Sequence, residues 1–245
     1  MAKPKVFYLA GQIFLFVMAS LILTMPHFTH HSEENYLKTL YKLNNKQVKK
    51  LNNVTLAKAL DLNPATVLEM VRKLSKKNLM EVLPDKSIHL TEKGKKKALF
   101  TIRKHRLWEV FLVEKLRYKW DEVHELAEQL EHIESANLID RLENYLGYPS
   151  FDPHGDPIPD KNGKIKLNAS IPLSEARKGK SYLVVNLGET SDAFLSYLEK
   201  LDIKPGRRFK IEDQNEYDQS FSILIQKKLI QLSEKVASNI LVQPL

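Results

Sequence analysis

The sequence predicts a mainly helical protein with small β parts: an N-terminal winged helix-turn-helix, a helical domain and a C-terminal β domain. Two short helices with a tight connection, followed by an alternating segment, are typical of a winged helix. Longer helical segments begin at Lys95 and continue to Gly147, and short strand-like segments follow a stretch rich in Pro, Gly and Asp. The 245 residues suffice for two or three small domains, and 43% hydrophobic residues is ordinary for a globular chain.

The winged-helix prediction covers residues 26–97. An amphipathic helix over 32–43 and a short helix over 53–62 precede a helix that starts at Asn63, a good N-cap, and Pro64. The segment from Met80 then alternates like a β-hairpin.

The charge distribution indicates an anionic partner, either nucleic acid or a membrane surface. The formal net charge is +8, and many of the basic residues crowd the second helix of the pair and the wing. Arg72, Lys73 and Lys86 are placed to neutralise phosphates. The first residues of the helix, Pro64, Ala65 and Thr66, could approach base edges in a major groove. The alternative is a lysine-rich helix that is merely solvated.

Four potential metal ligands share one helical stripe: His124, Glu128, Glu131 and His132. At about 100° per residue they lie at roughly 0°, 40°, −20° and 80°, so all can face the same point. A solvated charged face is the alternative.

A second pair, His105 and Glu109, repeats the spacing of a histidine followed four residues later by a carboxylate. Neutral imidazole and carboxylate suit a borderline-to-hard divalent metal. The chain has no cysteine, which excludes disulfides, thiolate metal sites and cysteine nucleophiles. Two such helices packed together would form a cage of nitrogen and oxygen ligands.

Beyond the wing the sequence divides into three parts. Residues 98–147 read as a helical domain, and residues 148–170 as a linker rich in Pro, Gly and Asp. Residues 171–245 read as a separate, mostly β domain with one helical piece over 191–201. Its short strands are predicted over 181–187, 207–213, 220–226, 227–233 and 238–245.

From about Ser32 to the C-terminus the chain resembles the DtxR/MntR family of metal-dependent bacterial transcriptional repressors. Five stretches carry the resemblance, in order and spacing: SEENYLKTLYKL (32–43), LTEKGKKKA (90–98), RKHRLWEVFLVEKL (103–116), WDEVHELAEQLEH (120–132) and FDPHGDPIP (151–159). The resemblance implies a winged helix, a helical metal-binding and dimerisation domain, and an SH3-like (FeoA-type) domain.

The resemblance also implies two metal sites, the first holding His105, Glu109 and His124 and the second Glu128, Glu131 and His132. The manganese-responsive branch has glutamate at the position of Glu128, where the iron branch has cysteine. Asn35 stands where the family offers a first-helix aspartate or methionine.

The chain departs from the family's ligand pattern at further positions in the first helix and in the SH3-like domain. Lys38 occupies a position where the manganese branch can offer a carboxylate. In the iron branch the SH3-like domain supplies a glutamate and a glutamine, and the corresponding stretch here gives Asn186 and Glu189.

The resemblance implies a metal-responsive transcriptional repressor that is not an enzyme. As a cytoplasmic homodimer it would bind Mn²⁺, or Fe²⁺, and then a palindromic DNA operator of metal-uptake genes. No small-molecule substrate is expected. One alternative is a ferritin-like carboxylate dimetal enzyme, because glutamate and histidine on inward-facing helices also build such sites.

The N-terminus allows a second alternative, a membrane-tethered metal sensor. Residues 6–25 carry no charge and are long enough to cross a bilayer. Residues 1–25 have three possible interpretations: a membrane anchor, a signal peptide or an upstream extension that is not translated. We favour Met25 or a nearby codon as the start, because insertion in the membrane would conflict with DNA binding and the family begins near Ser32.

Overall fold

The computed structural model describes residues 26–46, 48, 50–166 and 169–245. They form two compact units that divide between Thr101 and Ile102. The apolar segment predicted over residues 1–25 lies outside the described residues. Within the described part of the chain, no helix combines the length and apolar character needed to span a membrane.

The N-terminal unit contains helices and one two-stranded antiparallel sheet, in the order of a winged helix-turn-helix. Its elements are α1 (Pro26–Asn45), α2 (Asn53–Leu60), α3 (Pro64–Lys76), β1 (Met80–Val82), β2 (Ile88–Leu90) and the first part of α4 (Glu92–Glu114). The wing pairs Met80 with Leu90 and Val82 with Ile88.

Side-chain caps set the helix-turn-helix geometry. The Asn52 side chain accepts hydrogen bonds from the first turn of α2, and Asn63 accepts one from Ala65 N in α3. Between them Asp61 adopts the left-handed conformation, with a φ of 53°, that ends α2. The short connection therefore fixes α3 relative to α2.

One apolar core holds this unit together. Its central members are fully or almost fully buried side chains from α1, α2, α3 and β2: Tyr36, Leu37, Leu40, Leu56, Val67, Val71, Leu74 and Ile88. The opposite face of α3, which includes Ala65, Thr66 and Arg72, is exposed. The unit thus buries one side of α3 and leaves the other side free for a ligand.

The C-terminal unit begins with the second part of α4, which is followed by α5 (Val123–Leu130) and α6 (Ala136–Tyr145). They share a core that includes Leu107, Val123, Ala127 and Ile139. Ile158 packs into the same core, so the segment after α6, predicted as a linker, supplies a buried side chain.

A six-stranded antiparallel sheet completes this unit, with strand order β3-β8-β4-β5-β6-β7. Its elements are β3 (Ile171–Pro172), β4 (Ser181–Leu187), α7 (Asp192–Lys200), β5 (Arg208–Gln214), β6 (Phe221–Ile225), β7 (Lys228–Leu232), α8 (Glu234–Ala237) and β8 (Ile240–Pro244). A 3₁₀ turn, Leu173–Glu175, follows β3. The predicted fold class, mainly helical with small β parts, is confirmed.

Candidate metal centre

The centre of the candidate site is the Glu109 carboxylate on α4. Glu109 Oε1 lies 3.1 Å from His105 Nε2, one turn earlier on the same helix, and 3.3 Å from His124 Nδ1 on α5. The two imidazoles are 3.2 Å apart between His105 Nε2 and His124 Nδ1. Helical spacing brings the first pair together, and the packing of α4 against α5 adds the third residue.

The distances between these three side chains fit three ligands of one divalent cation. Metal–nitrogen bonds of about 2.1 Å place neighbouring ligand atoms about 3.0 Å apart in an octahedral arrangement and about 3.4 Å apart in a tetrahedral one. The three distances of 3.1–3.3 Å lie within that range. His105 and Glu109 are almost completely buried, so few waters compete for these atoms.

The remaining residues of the predicted stripe, Glu128, Glu131 and His132, lie next to this group. Glu128 Oε1 lies 3.7 Å from His124 Nε2, and both side chains are about one-third exposed. Glu131 is fully buried, with Oε2 2.6 Å from His105 Nδ1 and Oε1 3.9 Å from His132 Nε2. The short contact between Glu131 and His105 is an ion pair when His105 is protonated. His105 therefore borders both predicted ligand groups.

The pKa values of His105 and Glu109 show that negative charge in this group is balanced by a proton, which a bound cation could replace. Burial lowers the pKa of His105, but the carboxylates of Glu109 and Glu131 outweigh it and raise that pKa to about 9. Burial opposes ionisation of Glu109, yet His105, His124 and His154 hold the pKa of its carboxyl well below the ordinary value. In the metal-free protein a proton on His105 thus takes the place of a positive ion.

The resemblance also points to Asn35, Asn186 and Glu189. Asn35 belongs to α1 in the N-terminal unit, and its Oδ1 is buried without a hydrogen-bond partner. Glu189 accepts a hydrogen bond from Ser191 Oγ at 2.6 Å and belongs to neither of the close ligand groups among the described residues. Asn186 Nδ2 donates to Asp156 Oδ1 at 3.1 Å.

Sequence reasoning missed residues of the segment after α6. Asp152 and His154 form, with Glu109, a second group of buried metal-ligating side chains. Burial raises the pKa of Asp152 well above its ordinary value, and the charges of Glu109 and Asp156 add to this. The motif FDPHGDPIP carried the signal, since it places a histidine between two aspartates.

The predicted DNA-contacting residues lie on α3 and on the wing of the N-terminal unit. Pro64, Ala65, Thr66 and Arg72 are exposed on α3, and Lys86 is exposed at the tip of the wing. Lys73 differs, because its Nζ lies 3.0 Å from Oε1 of the buried Glu33 on α1. Lys77 contacts the same oxygen at 2.7 Å.

Comparison with protein families gives three consecutive matches. Residues 28–88 match the N-terminal DNA binding domain of iron dependent repressors, and residues 91–160 match their metal binding and dimerisation domain. Residues 171–244 match the FeoA domain.

Individual relatives agree with these matches. The iron-dependent repressor IdeR of Mycobacterium tuberculosis is 38% identical over 126 residues, 51% of this chain and 54% of IdeR. The diphtheria toxin repressor of Corynebacterium glutamicum is 30% identical over 168 residues, 69% of this chain and 72% of the relative. The chain spans about half the length of the IdeR sequences that it matches.

Among solved structures, a manganese-dependent transcriptional repressor in complex with manganese superposes with a TM-score of 0.79 and 32% identity. The superposition covers 86% of this chain and 99% of that one. The structure of the manganese regulator SloR gives a TM-score of 0.68 and 31% identity, over 87% and 98% of the two chains.

Proposed function

Since the chain belongs to the DtxR/MntR family of metal-dependent bacterial transcriptional repressors, we propose that it represses metal-uptake genes in response to Mn²⁺ or Fe²⁺. The bound metal would promote binding of a homodimer to a palindromic DNA operator. The observation that carries this proposal is the set of imidazole and carboxylate atoms around Glu109, 3.1–3.3 Å apart.

A bound divalent cation would supply the positive charge that lets several carboxylates remain ionised side by side. His105, Glu109 and His124 would hold one such ion, and Glu128, Glu131 and His132 would hold a second. Because these ligands come from two helices, the arrangement that brings them together is favoured over others. A coupling of about 1–3 kcal/mol, typical of allosteric proteins, changes operator affinity by roughly 5–150-fold.

The link to DNA runs through α1 and α3 in our proposal. Glu33 on α1 contacts Lys73 and Lys77 at the end of α3, so ion pairs join these two helices within the N-terminal unit. Asn35 lies two residues after Glu33, and its unpartnered buried Oδ1 is a suitable neutral ligand.

The preferred ion in our proposal is Mn²⁺. Glu128 provides a carboxylate where the iron-responsive branch has a soft thiolate, and hard oxygen ligands suit Mn²⁺. One similar structure is that of a repressor in complex with manganese.

We propose a regulatory rather than a catalytic role for this site. A ferritin-like dimetal enzyme requires glutamate and histidine three residues apart on long bundle helices. Here Glu131 and His132 are adjacent, and they follow the eight-residue α5. The unit before them is a winged helix. Action on chromosomal DNA also leads us to propose a cytoplasmic location.

The proposal is tested by titrating the metal-stripped protein with DNA from its own promoter region at fixed salt. Mn²⁺, anaerobic Fe²⁺ and Zn²⁺ are added separately. We expect Mn²⁺ to increase DNA affinity at least about fivefold, the lower end of typical coupling.

Two matched variants test whether the predicted residues bind the metal. Glu131→Gln removes a buried carboxylate, whereas Glu125→Gln removes an exposed one from the same helical region. We expect the first to abolish the metal response and the second to preserve it. Equal DNA affinity with and without every metal would refute the repressor proposal, and an equal response of both variants would refute the site.

A further inference from the structure

The exposed side of α3 carries one carboxylate, that of Glu69. It is the only acidic residue in the sequence of this helix, PATVLEMVRKLSK. At about 100° per residue, Glu69 and Arg72 lie roughly 40° and −20° from Ala65, whereas the buried side chains of α3 lie roughly 180–240° away. The Glu69 carboxylate is therefore near the centre of the face that the proposed function turns toward DNA.

The usual intrahelical partner of Glu69 is occupied elsewhere. On a helix, a glutamate followed four residues later by a lysine forms a favourable ion pair, and Lys73 stands at that position. Its Nζ instead lies 3.0 Å from Oε1 of Glu33 on α1. With the residues that the structure describes, the Glu69 carboxylate forms no hydrogen bond or ion pair. It is therefore exposed and available to a ligand that donates hydrogen bonds.

A free carboxylate at this place is unfavourable unless DNA offers it a hydrogen-bond donor. Phosphates are anionic, so they attract the basic residues Arg72 and Lys76 of the same face but repel Glu69. In the major groove the donors are the amino groups of cytosine, N4, and of adenine, N6. The adenine amino group lies between two acceptors, its own N7 and thymine O4, and acceptors repel a carboxylate. The cytosine amino group has an acceptor on one side only, guanine O6, so cytosine is the favoured partner.

Side-chain contacts at the start of α3 fix the helix that carries Glu69. Asn53 Nδ2, on α2, donates a hydrogen bond to the Pro64 carbonyl oxygen at 2.9 Å. Asn63 Oδ1 accepts a hydrogen bond from Ala65 N at 2.8 Å. Recognition helices contact base edges with their N-terminal residues, and the side chain of Ala65, one turn before Glu69, is too small to keep the helix away from the bases. Glu69 can therefore reach further into the groove than its neighbours in the first turn.

We propose that Glu69 is a specificity-determining residue of the DNA interface. Its carboxylate accepts a hydrogen bond from the N4 amino group of one cytosine in each half-site of the operator. The carboxylate thus adds recognition of one base to a face whose basic residues bind phosphates of any sequence. The inference deepens the proposed function, since it assumes that α3 enters the major groove of an operator.

Three substitutions separate base recognition from charge and folding. Glu69→Gln keeps the shape of the side chain and replaces one carboxylate oxygen with an amide nitrogen. Glutamine pairs with adenine N6 and N7 through two hydrogen bonds, so this variant should change the preferred base. Glu69→Ala removes the acceptor. Glu199→Gln is the control, because it removes the same charge from an exposed position of α7, outside the DNA-binding unit.

The full-length proteins, saturated with Mn²⁺, select DNA from a pool of duplexes with a randomised central segment, and the bound fraction is sequenced. We expect the wild type to select cytosine at one position in each half-site. Replacing that cytosine with any other base should weaken wild-type binding at least about fivefold at fixed salt. At the same position Glu69→Gln should select adenine, and Glu69→Ala should show no preference.

A purely structural effect of the substitutions would give a different result. If Glu69 only stabilised α3, both of its variants would bind every sequence more weakly and keep the base preferences of the wild type. Urea unfolding shows that each variant is folded, and Glu199→Gln should select the same sequence as the wild type.

The outcomes separate this inference from the proposed function. Identical base preferences in the wild type and Glu69→Gln would overturn the role of Glu69 and leave the repressor proposal intact. A change of preference at a position where the wild type selects a base other than cytosine would have the same meaning. A wild-type protein that selects no sequence with Mn²⁺ would overturn both. A wild-type protein that selects the same cytosine-containing site without any metal would overturn only the proposal of a metal-dependent repressor.

Discussion

Replacing Glu33 by glutamine tests whether the contact between α1 and α3 stabilises the DNA-binding unit. The Glu33 side chain is 2% exposed, and Oε1 lies 3.0 Å from Lys73 Nζ and 2.7 Å from Lys77 Nζ. Burial opposes its ionisation, but the hydrogen bonds and charges of the two lysines outweigh burial and lower the pKa of Glu33. The substitution keeps the shape of the side chain and removes its charge.

The expected loss follows from the exposure of the partners. A hydrogen bond to a charged group contributes roughly 1.5–3 kcal/mol. The two lysine side chains are 43% and 44% exposed, so water can hydrate them once the carboxylate is gone. We therefore expect Glu33→Gln to lower the free energy of unfolding by about 1–2 kcal/mol at pH 7, which is a factor of about 5–30 in the folded-to-unfolded ratio.

Hydrogen exchange at pH 7 on the metal-free protein localises the effect. Amides of α1 and α3 should exchange about 5–30 times faster in Glu33→Gln than in the wild type. Glu81→Gln, at an exposed position of the wing, is the control. Equal exchange in the two variants would refute the reasoning.

The pH dependence gives a second check. A group whose folded pKa is lowered stabilises the fold above its unfolded pKa, near 4.5 for Glu33. This contribution is lost as the pH falls through the lower folded value. In urea unfolding, the difference between wild type and Glu33→Gln should therefore shrink toward zero below about pH 4.5.

Three further predictions concern protons, DNA and the loop. Because the pKa of His105 is raised from 6.5 to about 9, its charge stabilises the metal-free protein fully below pH 6.5, and this stabilisation is lost as the pH rises through 9. Mn²⁺ binding at pH 7 should then release about one proton, measured by calorimetry in buffers of different ionisation enthalpy; a heat independent of the buffer would contradict this. Lys86→Ala should lower the salt dependence of DNA binding by about one unit of slope, whereas Lys73→Ala should lower it less, because Lys73 also pairs with Glu33; equal slopes for both would show that this ion pair does not reduce the DNA contact. Gly155→Ala should lower the melting temperature, because an added Cβ would lie 2.1 Å from Val185 O and Gly155 has a φ of +91°; an unchanged melting temperature would show that the loop can move away.

Local periodicity was sufficient to predict most helices and strands. The spacing of apolar residues placed α3 and β4 to β8 correctly, because each of these elements has one buried face. The start of α4 was less accurate: we predicted Lys95, but the helix begins at Glu92 because Thr91 Oγ1 accepts a hydrogen bond from Gly94 N. The two-residue β3 and the four-residue α8 are too short for periodicity to reveal.

In the candidate site, too, contacts within one helix could be predicted from the sequence, whereas contacts between distant segments could not. The pair His105 and Glu109 follows from helical spacing alone, since four residues make about one turn. Its approach to His124 depends on the packing of α4 against α5, which the sequence indicates only through the resemblance. The His154 contact joins Glu109 to a residue 45 positions later, in a segment whose composition is typical of linkers.

That last contact depends on features that local composition does not encode. Asp152 uses its carboxylate to fold the loop, as many surface turns do. What distinguishes this loop is burial of His154, a donor bond from its Nε2 to the Trp120 carbonyl, and the approach of Gly155 to Val185. Each requires a partner distant in sequence. Only the fold therefore shows that this histidine, in a proline- and glycine-rich segment, is buried beside Glu109 with its Nε2 bonded to Trp120.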